Sequence, residues 1–451
     1  TLVMSDTNSF MDMPKGQINI NMKIANQSDP NTPLGTQDYA LRNGAPLFSS
    51  AQLFANNTLV ENKSDLDYCN YFSHHIRYSK TFSDNAAQPS HWYLDDGACG
   101  TDRQEYTLMG TVTDIGGTGP RYVSLGTGGA NDNRNLQTEG ANITPMSLVS
   151  SDTYNSGYAK RRKIASSSKT FTVSFMLREL FDYFRDVEKI TQGIEYRIVL
   201  HRCPSYTRSI QGVQTDPVYN PAPYYHSMEL LVPRYEPSAF LKARLYKDLN
   251  GSKSARHTFE VMDALACPPV TATTGIIPPI QHQLSQARRP TKVYLVFFNT
   301  DAINGAALTA AAWKFYNMGI TNVSLTVNGT QITSLPMATN FTNTDSTSGQ
   351  ADWNRLYEAY CEIVSKSVVN DNGEIAAPMH SYEEFGRNYA IWCFDLMKVD
   401  DSLFTANTTV NFQVTAPANP NGFSIIPYVF YQYLQTVEFS TNNGRVDVKL
   451  V

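Results

Sequence analysis

The chain has 451 residues, of which 41% are hydrophobic and only 17% are charged. Its length predicts two or three domains, and its apolar share supports a buried core. The net charge of −5 excludes a protein that wraps nucleic acid tightly over its whole surface.

The first half combines strand patterns with one clear helix. The first 15 or so residues look irregular, and residues 18–24 then alternate apolar and polar side chains as a strand does. Extended segments at 46–60 contain a turn signal at Asn56-Asn57, and residues 65–78 have helical spacing of apolar side chains. Residues 84–160 are rich in Gly, Asn, Thr and Ser, which predicts long loops. Further strands are predicted at 171–175, 193–203 and 228–235, with a short helix at 180–184 and a connecting helix from 237 to about 247.

The second half repeats this order. Apolar residues alternate on both sides of Asn328-Gly329, which predicts a hairpin with a type I′ turn. A helix is predicted at 353–364, where the apolar side chains lie on one face. Strands are predicted at 258–262, 292–298, 389–396, 409–414, 428–439 and 446–450.

The two halves resemble each other internally. Each has an extended stretch with an Asn-containing turn, then a helix with a Tyr-Cys pair, Tyr68-Cys69 and Tyr360-Cys361. Each then ends in an aliphatic and aromatic strand. Many short strands with long loops indicate two tandem β-sandwiches of an all-β protein. We expect the first sandwich at 1–236, a connecting helix at 237–250 and the second sandwich at 251–451.

Short motifs in a fixed order resemble those of a known family over nearly the whole chain. The most family-like motif is Phe394-Asp395-Leu396, and the Asn328-Gly329 hairpin is a second. The others are Leu53 to Val60, the basic stretch Lys160-Arg161-Arg162-Lys163, Gly193 to Ile198, Pro290 to Asp301, Glu384-Phe385 and Gly444-Arg445-Val446. Together they resemble the double jelly-roll major capsid proteins of the Maverick/Polinton and adintovirus-like group, which includes capsid-like proteins in nematode and arthropod genomes.

This resemblance implies two tandem jelly-roll sandwiches with short helices in their connections. It implies a homotrimer that presents six similar lobes, trimer–trimer contacts in an icosahedral shell, and double-stranded DNA inside. A penton protein and minor capsid proteins are the expected partners, and an internal membrane is left open. The expected location is the virion, assembled in the host cytoplasm or nucleus. No catalysis, cofactor or tight sequence-specific nucleic-acid binding is expected.

Two parts of the chain depart from the family. The family has a strand upstream of the piece that corresponds to residues 8–20, and we expect that Thr1 is not the natural start or that another segment takes that place. The loops at 84–160 do not correspond closely, so we expect an outer surface that is particular to this protein.

The basic cluster Lys160, Arg161, Arg162 and Lys163 has three interpretations. It is either a patch that faces the genome or a neighbouring subunit, or a solvated lead-in to a strand. A nuclear import signal is a further functional reading. The favoured interpretation is the lead-in, with its charges paired to neighbouring subunits.

Candidate chemical sites are weak. His74-His75 lies on a helix, where adjacent side chains point apart, and no Cys/His spacing typical of a metal site occurs. The carboxylate pairs Asp95-Asp96 and Glu383-Glu384 have no partner pattern for acid–base catalysis. The glycine-rich stretches lack the Gly-Lys-Ser/Thr of a phosphate loop. We expect no glycans at the sequons and free thiols at all six cysteines.

Two other functions remain open. A carbohydrate- or receptor-binding β-sandwich, either a lectin or a virion spike, could stack sugars on Trp92-Tyr93 or Tyr224-Tyr225. A glycoside-active enzyme on a jelly-roll scaffold would need two facing carboxylates, which a sequence cannot show.

Overall fold

A computed structural model gives the structure of most of the chain. Between residues 96 and 155 it describes only the backbone of short strands. Elsewhere it describes residues 1–5, 9–29, 31, 39–95, 156–165, 170–204, 206–212, 221–243, 254–270, 279–284, 289–300, 314–332, 336–341, 352–367, 378–404, 408–416, 424–442 and 445–450. Strands before residue 236 form one lobe, called lobe 1, and strands after residue 253 form lobe 2. No sheet in these ranges takes strands from both lobes.

Lobe 2 is a complete jelly roll. Its eight principal strands form two sheets, ordered β17-β25-β19-β23 and β18-β24-β20-β21, with β22 and β26 at the margins. When these eight strands are counted along the chain, one sheet contains the first, last, third and sixth strands in that order. The other sheet contains the second, seventh, fourth and fifth, and this arrangement is the wiring of a jelly roll. The strands are β17 (Ser254–Ala266), β18 (Ile280–Leu284), β19 (Pro290–Asn299), β20 (Asn322–Val327), β21 (Thr330–Gln331), β22 (Met337–Ala338), β23 (Trp392–Asp395), β24 (Thr408–Thr415), β25 (Ile425–Asn442) and β26 (Arg445–Leu450).

The strands that the structure describes in lobe 1 follow the same wiring, except that none of them corresponds to β17. Its two main sheets are β12-β3-β15 and β1-β13-β5-β6, and the smaller described sheets before residue 236 are β14-β4, β16-β2, β10-β8 and β11-β7-β9. The strands are β1 (Leu2–Met4), β2 (Phe10–Met11), β3 (Gln17–Asn26), β4 (Tyr39–Leu41), β5 (Phe48–Ala55), β6 (Thr58–Lys63), β7 (Thr107–Met109), β8 (Val112–Thr113), β9 (Val123–Ser124), β10 (Asn142–Ile143), β11 (Ser147–Val149), β12 (Phe171–Met176), β13 (Tyr196–Arg202), β14 (Ile210–Gly212), β15 (Pro221–Leu231) and β16 (Arg234–Tyr235). The prediction of an all-β fold with two tandem jelly rolls is therefore confirmed.

Short helices occupy the connections. The helices are α1 (Leu66–Arg77), α2 (Lys80–Asp84), α3 (Ser156–Ala165), α4 (Leu177–Leu180), α5 (Asp182–Asp186), α6 (Tyr206–Ser209), α7 (Asn354–Ser367) and α8 (Tyr382–Asn388). The connecting helix, predicted from 237, is helical at 239–243; residues 237 and 238 are not helical, and residues 244–250 lie outside the described residues. The domain boundaries at 236 and 251 stay predictions.

Matching hairpins confirm the internal repeat. The β5–β6 turn has Asn56 and Asn57 at φ 47° and 67°, and the β20–β21 turn has Asn328 and Gly329 at φ 48° and 82°. Two consecutive residues with positive φ are the requirement of a type I′ turn. Each hairpin leads to the long helix of its lobe, α1 or α7, as the sequence predicts.

Two local predictions are wrong. The first 15 residues are not wholly irregular, because β1 pairs with β13 and β2 pairs with β16. Lys160 to Lys163 are not a lead-in to a strand, because they lie inside helix α3. Both segments are too short or too polar for a periodic signal, and they acquire their structure from tertiary contacts.

Candidate functional site at the seam between the lobes

Helix α1 lies at the centre of the seam between the lobes. Its sequence predicts one apolar face, yet all twelve residues from Leu66 to Arg77 are buried. The helix belongs to lobe 1, but Phe72 stacks on Phe430 of lobe 2 with ring centroids 4.1 Å apart. The ring of Tyr68 packs at a tilt against Tyr428 of β25, with ring centroids 4.9 Å apart. The apolar core of lobe 2 therefore includes a helix of lobe 1.

Lobe 2 also contributes side chains to the core of lobe 1. Phe259 and Val261 of β17 are buried in the core of lobe 1, whereas Met262 and Ala264 of the same strand are buried in the core of lobe 2. Successive strand residues point to opposite faces, so β17 serves one lobe with each face. The two sandwiches are thus interlocked through shared side chains.

A buried ionic cluster centred on Asp182 holds the polar part of the seam. The Asp182 carboxylate is 3.0 Å from Lys63 Nζ and also pairs with Arg77 and Arg185. The side chains of Asp182, Lys63 and Arg77 are each less than 5% exposed. Charges this deeply buried persist only when each is paired and hydrogen-bonded.

Glu61 completes this cluster from strand β6. Its carboxylate accepts hydrogen bonds from the backbone N–H groups of Asp182 and Tyr183, at 3.0 and 2.9 Å. Burial raises the pKa of Glu61 to about 7, while the Lys63 ammonium acts in the opposite direction. The first turn of helix α5 is thereby fixed to the hairpin of lobe 1.

The same α5 segment closes the outer edge of β17. Asp182 Oδ2 accepts from the N–H of Met262 at 2.8 Å, and Asp186 Oδ2 accepts from the N–H of Glu260 at 2.8 Å. Arg185 donates to the carbonyl of Glu260 at 3.1 Å. An edge strand with free backbone groups invites pairing with other chains, and here side chains of lobe 1 occupy those groups.

A second cluster at the seam contains histidines. His75 Nδ1 lies 2.7 Å from His380 Nε2, and the hydroxyl of Tyr360 donates to the carbonyl of His75 at 2.8 Å. Burial lowers the pKa of His74 to about 4 and that of His380 to about 3, so these rings are neutral at pH 7. Within the described ranges, no group of three potential ligands could hold a metal ion.

The predicted basic cluster is divided by helix α3. Arg161 is fully buried, where its guanidinium pairs with Asp95 at 2.7 Å and donates to Asn43 Oδ1 at 2.7 Å. Lys160 and Lys163 are exposed and Arg162 is half-buried. Arg161 is therefore not a surface residue, and the role of the other three stays a prediction.

Phe394 and Leu396 of one family-like motif lie in the core of lobe 2, whereas Asn328 and Gly329 of the other lie on its surface. Phe394 and Asp395 end strand β23, which pairs with β19 at Val293 and Lys292. Phe394 and Leu396 are buried, and Asp395 Oδ1 accepts from the N–H of Met397 at 2.9 Å. Asn328 also fixes its turn to β24, because its side chain accepts from the N–H of Thr409 at 2.7 Å. These motifs have architectural roles.

The aromatic pairs predicted to stack on sugars make contacts within the protein. Trp92 is fully buried, and its Nε1 donates to Ser83 at 2.6 Å. The Tyr224 hydroxyl donates to backbone carbonyls of Asn26 and Gln27 at 2.8 Å each. Tyr225 lies beneath the guanidinium of Arg202, 4.5 Å from it. Trp92 cannot stack on a sugar in this structure.

Several other candidates are located in the described ranges. Asp95 pairs with Arg161, whereas Asp96 lies outside those ranges, and Glu384 caps helix α8 through Ser381. Cys69, Cys203, Cys267, Cys361 and Cys393 are free thiols, and Cys99 lies outside. None of the helices that the structure describes has the length and apolarity to span a bilayer.

Comparisons with solved structures found neighbours of low sequence identity that cover nearly the whole chain. The match to the structure of the Sputnik virophage covers 100% of this chain and 84% of the virophage chain, with 13% identity and a TM-score of 0.49. The match to the mavirus major capsid protein covers 99% of this chain and 86% of the mavirus chain, with 10% identity and a TM-score of 0.48. The match to the PBCV-1 virus capsid covers 100% of this chain and 91% of the PBCV-1 chain, with 10% identity and a TM-score of 0.46. No family model matches the chain, and no curated protein matches it.

Proposed function

We propose that this chain is a major capsid protein, whose homotrimers tile an icosahedral shell around a double-stranded DNA genome. The observation that carries the proposal is the pair of jelly rolls locked by a buried seam. Shared core residues and the Asp182 cluster make the two lobes one rigid unit. A three-fold ring of such units presents six similar lobes, and a closed ring leaves no unsatisfied subunit interface.

The surface chemistry supports assembly in place of catalysis. Charged residues are 17% of the chain, and its 26 tyrosines supply large side chains with a polar tip. Interfaces are depleted in charge at their core and enriched in aromatic residues. A penton protein, minor capsid proteins and trimer–trimer contacts complete the proposed shell, which places the protein in the virion.

The test is the oligomeric state and shape of the purified chain. Light scattering after size exclusion is expected to give three times the 50.3-kDa mass of the chain. Cryo-electron microscopy is expected to show flat plates with six corners. A protein that stays monomeric at all concentrations and binds sugars on a glycan array contradicts the proposal and supports the lectin.

The basic residues of α3 other than Arg161 form a separate part of the proposal. We propose that Lys160, Arg162 and Lys163 face the genome or a neighbouring subunit. Assembled particles of the Lys160→Glu/Lys163→Glu variant are expected to retain less DNA, or to assemble less well, than particles of a Lys398→Glu control. Lys398 is an exposed lysine of lobe 2. Equal DNA content and equal assembly of the two variants contradict this part alone.

A further inference from the structure

A surface groove lies between the end of helix α5 and the start of strand β17. It has a volume of about 380 Å³ and is lined by residues 185–189 of lobe 1 and residues 256–258 of lobe 2. We call it the seam groove. Asp186 of α5 caps β17 at Glu260, and the strand extends past that cap as far as Ser254. The seam groove therefore opens where the capping of β17 by α5 ends.

Every second residue of β17 presents its backbone N–H to this outer edge. The N–H of Met262 donates to the Asp182 carboxylate and that of Glu260 to the Asp186 carboxylate, each at 2.8 Å. The pairing of β17 with β25 has no register shift, so the alternation continues and the N–H of Thr258 points to the same edge. Among the residues that the structure describes, no carboxylate accepts from it. The series of carboxylate caps therefore lacks a member at Thr258, which lines the seam groove.

Cationic side chains surround this donor. Lys189 is exposed, and the side chain of Arg256 is 65% exposed, with a long ion pair of 3.4 Å to Glu438. Burial lowers the pKa of His257, and the nearby Lys189 ammonium lowers it further. The two exposed cations therefore lie beside a free N–H donor and a neutral imidazole, which is an environment that favours an anion.

The acids of the seam groove leave its positive charge in excess. Asp186 is paired with Arg185 through two contacts of 2.7 and 3.0 Å, so these two charges offset each other. Glu188 is the other acid of the lining, and it also attracts Lys15 outside the groove. One exposed acid against two exposed cations leaves one positive charge unbalanced. A carboxylate matches that charge, whereas a doubly charged phosphate exceeds it.

We infer that the seam groove binds a carboxylate, which accepts from the N–H of Thr258 and pairs with Lys189 and Arg256. The ligand is a peptide that presents this carboxylate as an acidic side chain or as its C-terminus, since both have the same chemistry. Asp182 and Asp186 show the same contact within the chain. Hydrogen bonds to a charged group are stronger than neutral ones. The inference does not depend on the capsid role.

The test measures peptide binding to the full chain by saturation-transfer difference NMR, which detects weak ligands of a large protein. Three N-acetylated probes are compared: amidated Gly-Gly-Asp-Gly, amidated Gly-Gly-Asn-Gly, and Gly-Gly-Asn-Gly with a free C-terminus. The first and third carry one carboxylate each, and the second carries none. Saturable binding of at least one carboxylate probe is expected, with the neutral probe at least about fivefold weaker. The stronger of the two carboxylate probes identifies the source of the carboxylate.

Substitutions at Thr258 separate the backbone donor from the side chain. Thr258→Pro removes an N–H that points away from β25, and strands tolerate proline where the N–H faces no neighbouring strand. Thr258→Val is the matched control, because it keeps the N–H and removes the hydroxyl. Binding of the carboxylate probe is expected to fall at least about fivefold in the proline variant and to change less than about twofold in the valine variant. A proline variant that binds as the valine variant does overturns the inference.

Charge variants test the cations and decide the question also if Thr258→Pro does not fold. Lys189→Ala combined with Arg256→Ala is expected to weaken binding at least about fivefold, and Lys398→Ala, at an exposed lysine of lobe 2, is the control. Absence of binding, equal binding of the neutral probe, or equal binding by the double variant and the control overturns the inference. Displacement of the probe by less inorganic phosphate than acetate also overturns it, because the site then prefers a doubly charged anion.

Discussion

Replacement of Asp182 by asparagine tests whether the ionic cluster holds the seam. The substitution keeps the shape of the side chain and removes the charge that Lys63, Arg77 and Arg185 share. Lys63 and Arg77 then remain almost fully buried without their main counter-ion. Breaking a buried pair in this way costs about 3–5 kcal/mol, because an uncompensated charge is left in a low-dielectric interior. For a chain of this length, that loss corresponds to a fall in Tm of roughly 3–5 °C.

The assay is urea unfolding followed by circular dichroism, with calorimetry as the second measurement. The matched control is Asp401→Asn, which removes an ion pair with Arg289 in which Asp401 is 79% exposed. Exposed pairs contribute about 0–1 kcal/mol, so the control is expected to unfold almost as the parent does. If the two variants lose the same stability, the cluster does not hold the seam.

Three further changes test other parts of the structure. Phe72→Ala is expected to lower the free energy of unfolding in urea by about 3–5 kcal/mol, because it leaves a cavity between the lobes. The control is Phe240→Ala, at an 81% exposed residue. Equal losses of stability in the two variants contradict a shared core. The folded-state pKa of His380, about 3, lies below its usual 6.5, so the unfolded chain binds the proton first and stability falls as pH drops from about 6.5 toward 3. The urea midpoint of His380→Phe is therefore expected to rise relative to the parent over that window, and a constant difference contradicts the burial of a neutral ring. Gly329→Ala is expected to cost about 1–2 kcal/mol by calorimetry, because φ is +82° and the added Cβ meets no atom within 4 Å, so the cost is conformational; an unchanged Tm contradicts a type I′ turn.

The interlocked seam limits how the lobes can be separated. Helix α1 follows the hairpin of lobe 1 in sequence but is buried against β25 of lobe 2. A fragment that ended before lobe 2 would expose this helix and the ionic cluster to water. The two jelly rolls are therefore repeats in topology and one unit in packing.

Local patterns determined the secondary structure and the repeat. Alternating apolar residues predicted β3 and β20, the continuous apolar run at 292–298 predicted β19, and the Asn56-Asn57 and Asn328-Gly329 turns fixed the two hairpins. These signals are local, because strand alternation and positive φ depend on a few adjacent residues. The helical spacing at 65–78 likewise predicted α1 almost to the residue. From such elements the sequence alone identified the all-β fold and its duplication.

Only the tertiary structure decided which residues these helices and strands contact. Spacing predicted one apolar face for α1, yet the second lobe also covers its polar face, and Arg161 lies buried against Asp95 instead of in a basic patch. Lys63 and Asp182 are far apart in the chain but share an ion pair. Burial and pairing between distant residues are set by how whole sheets pack, and no local pattern encodes that.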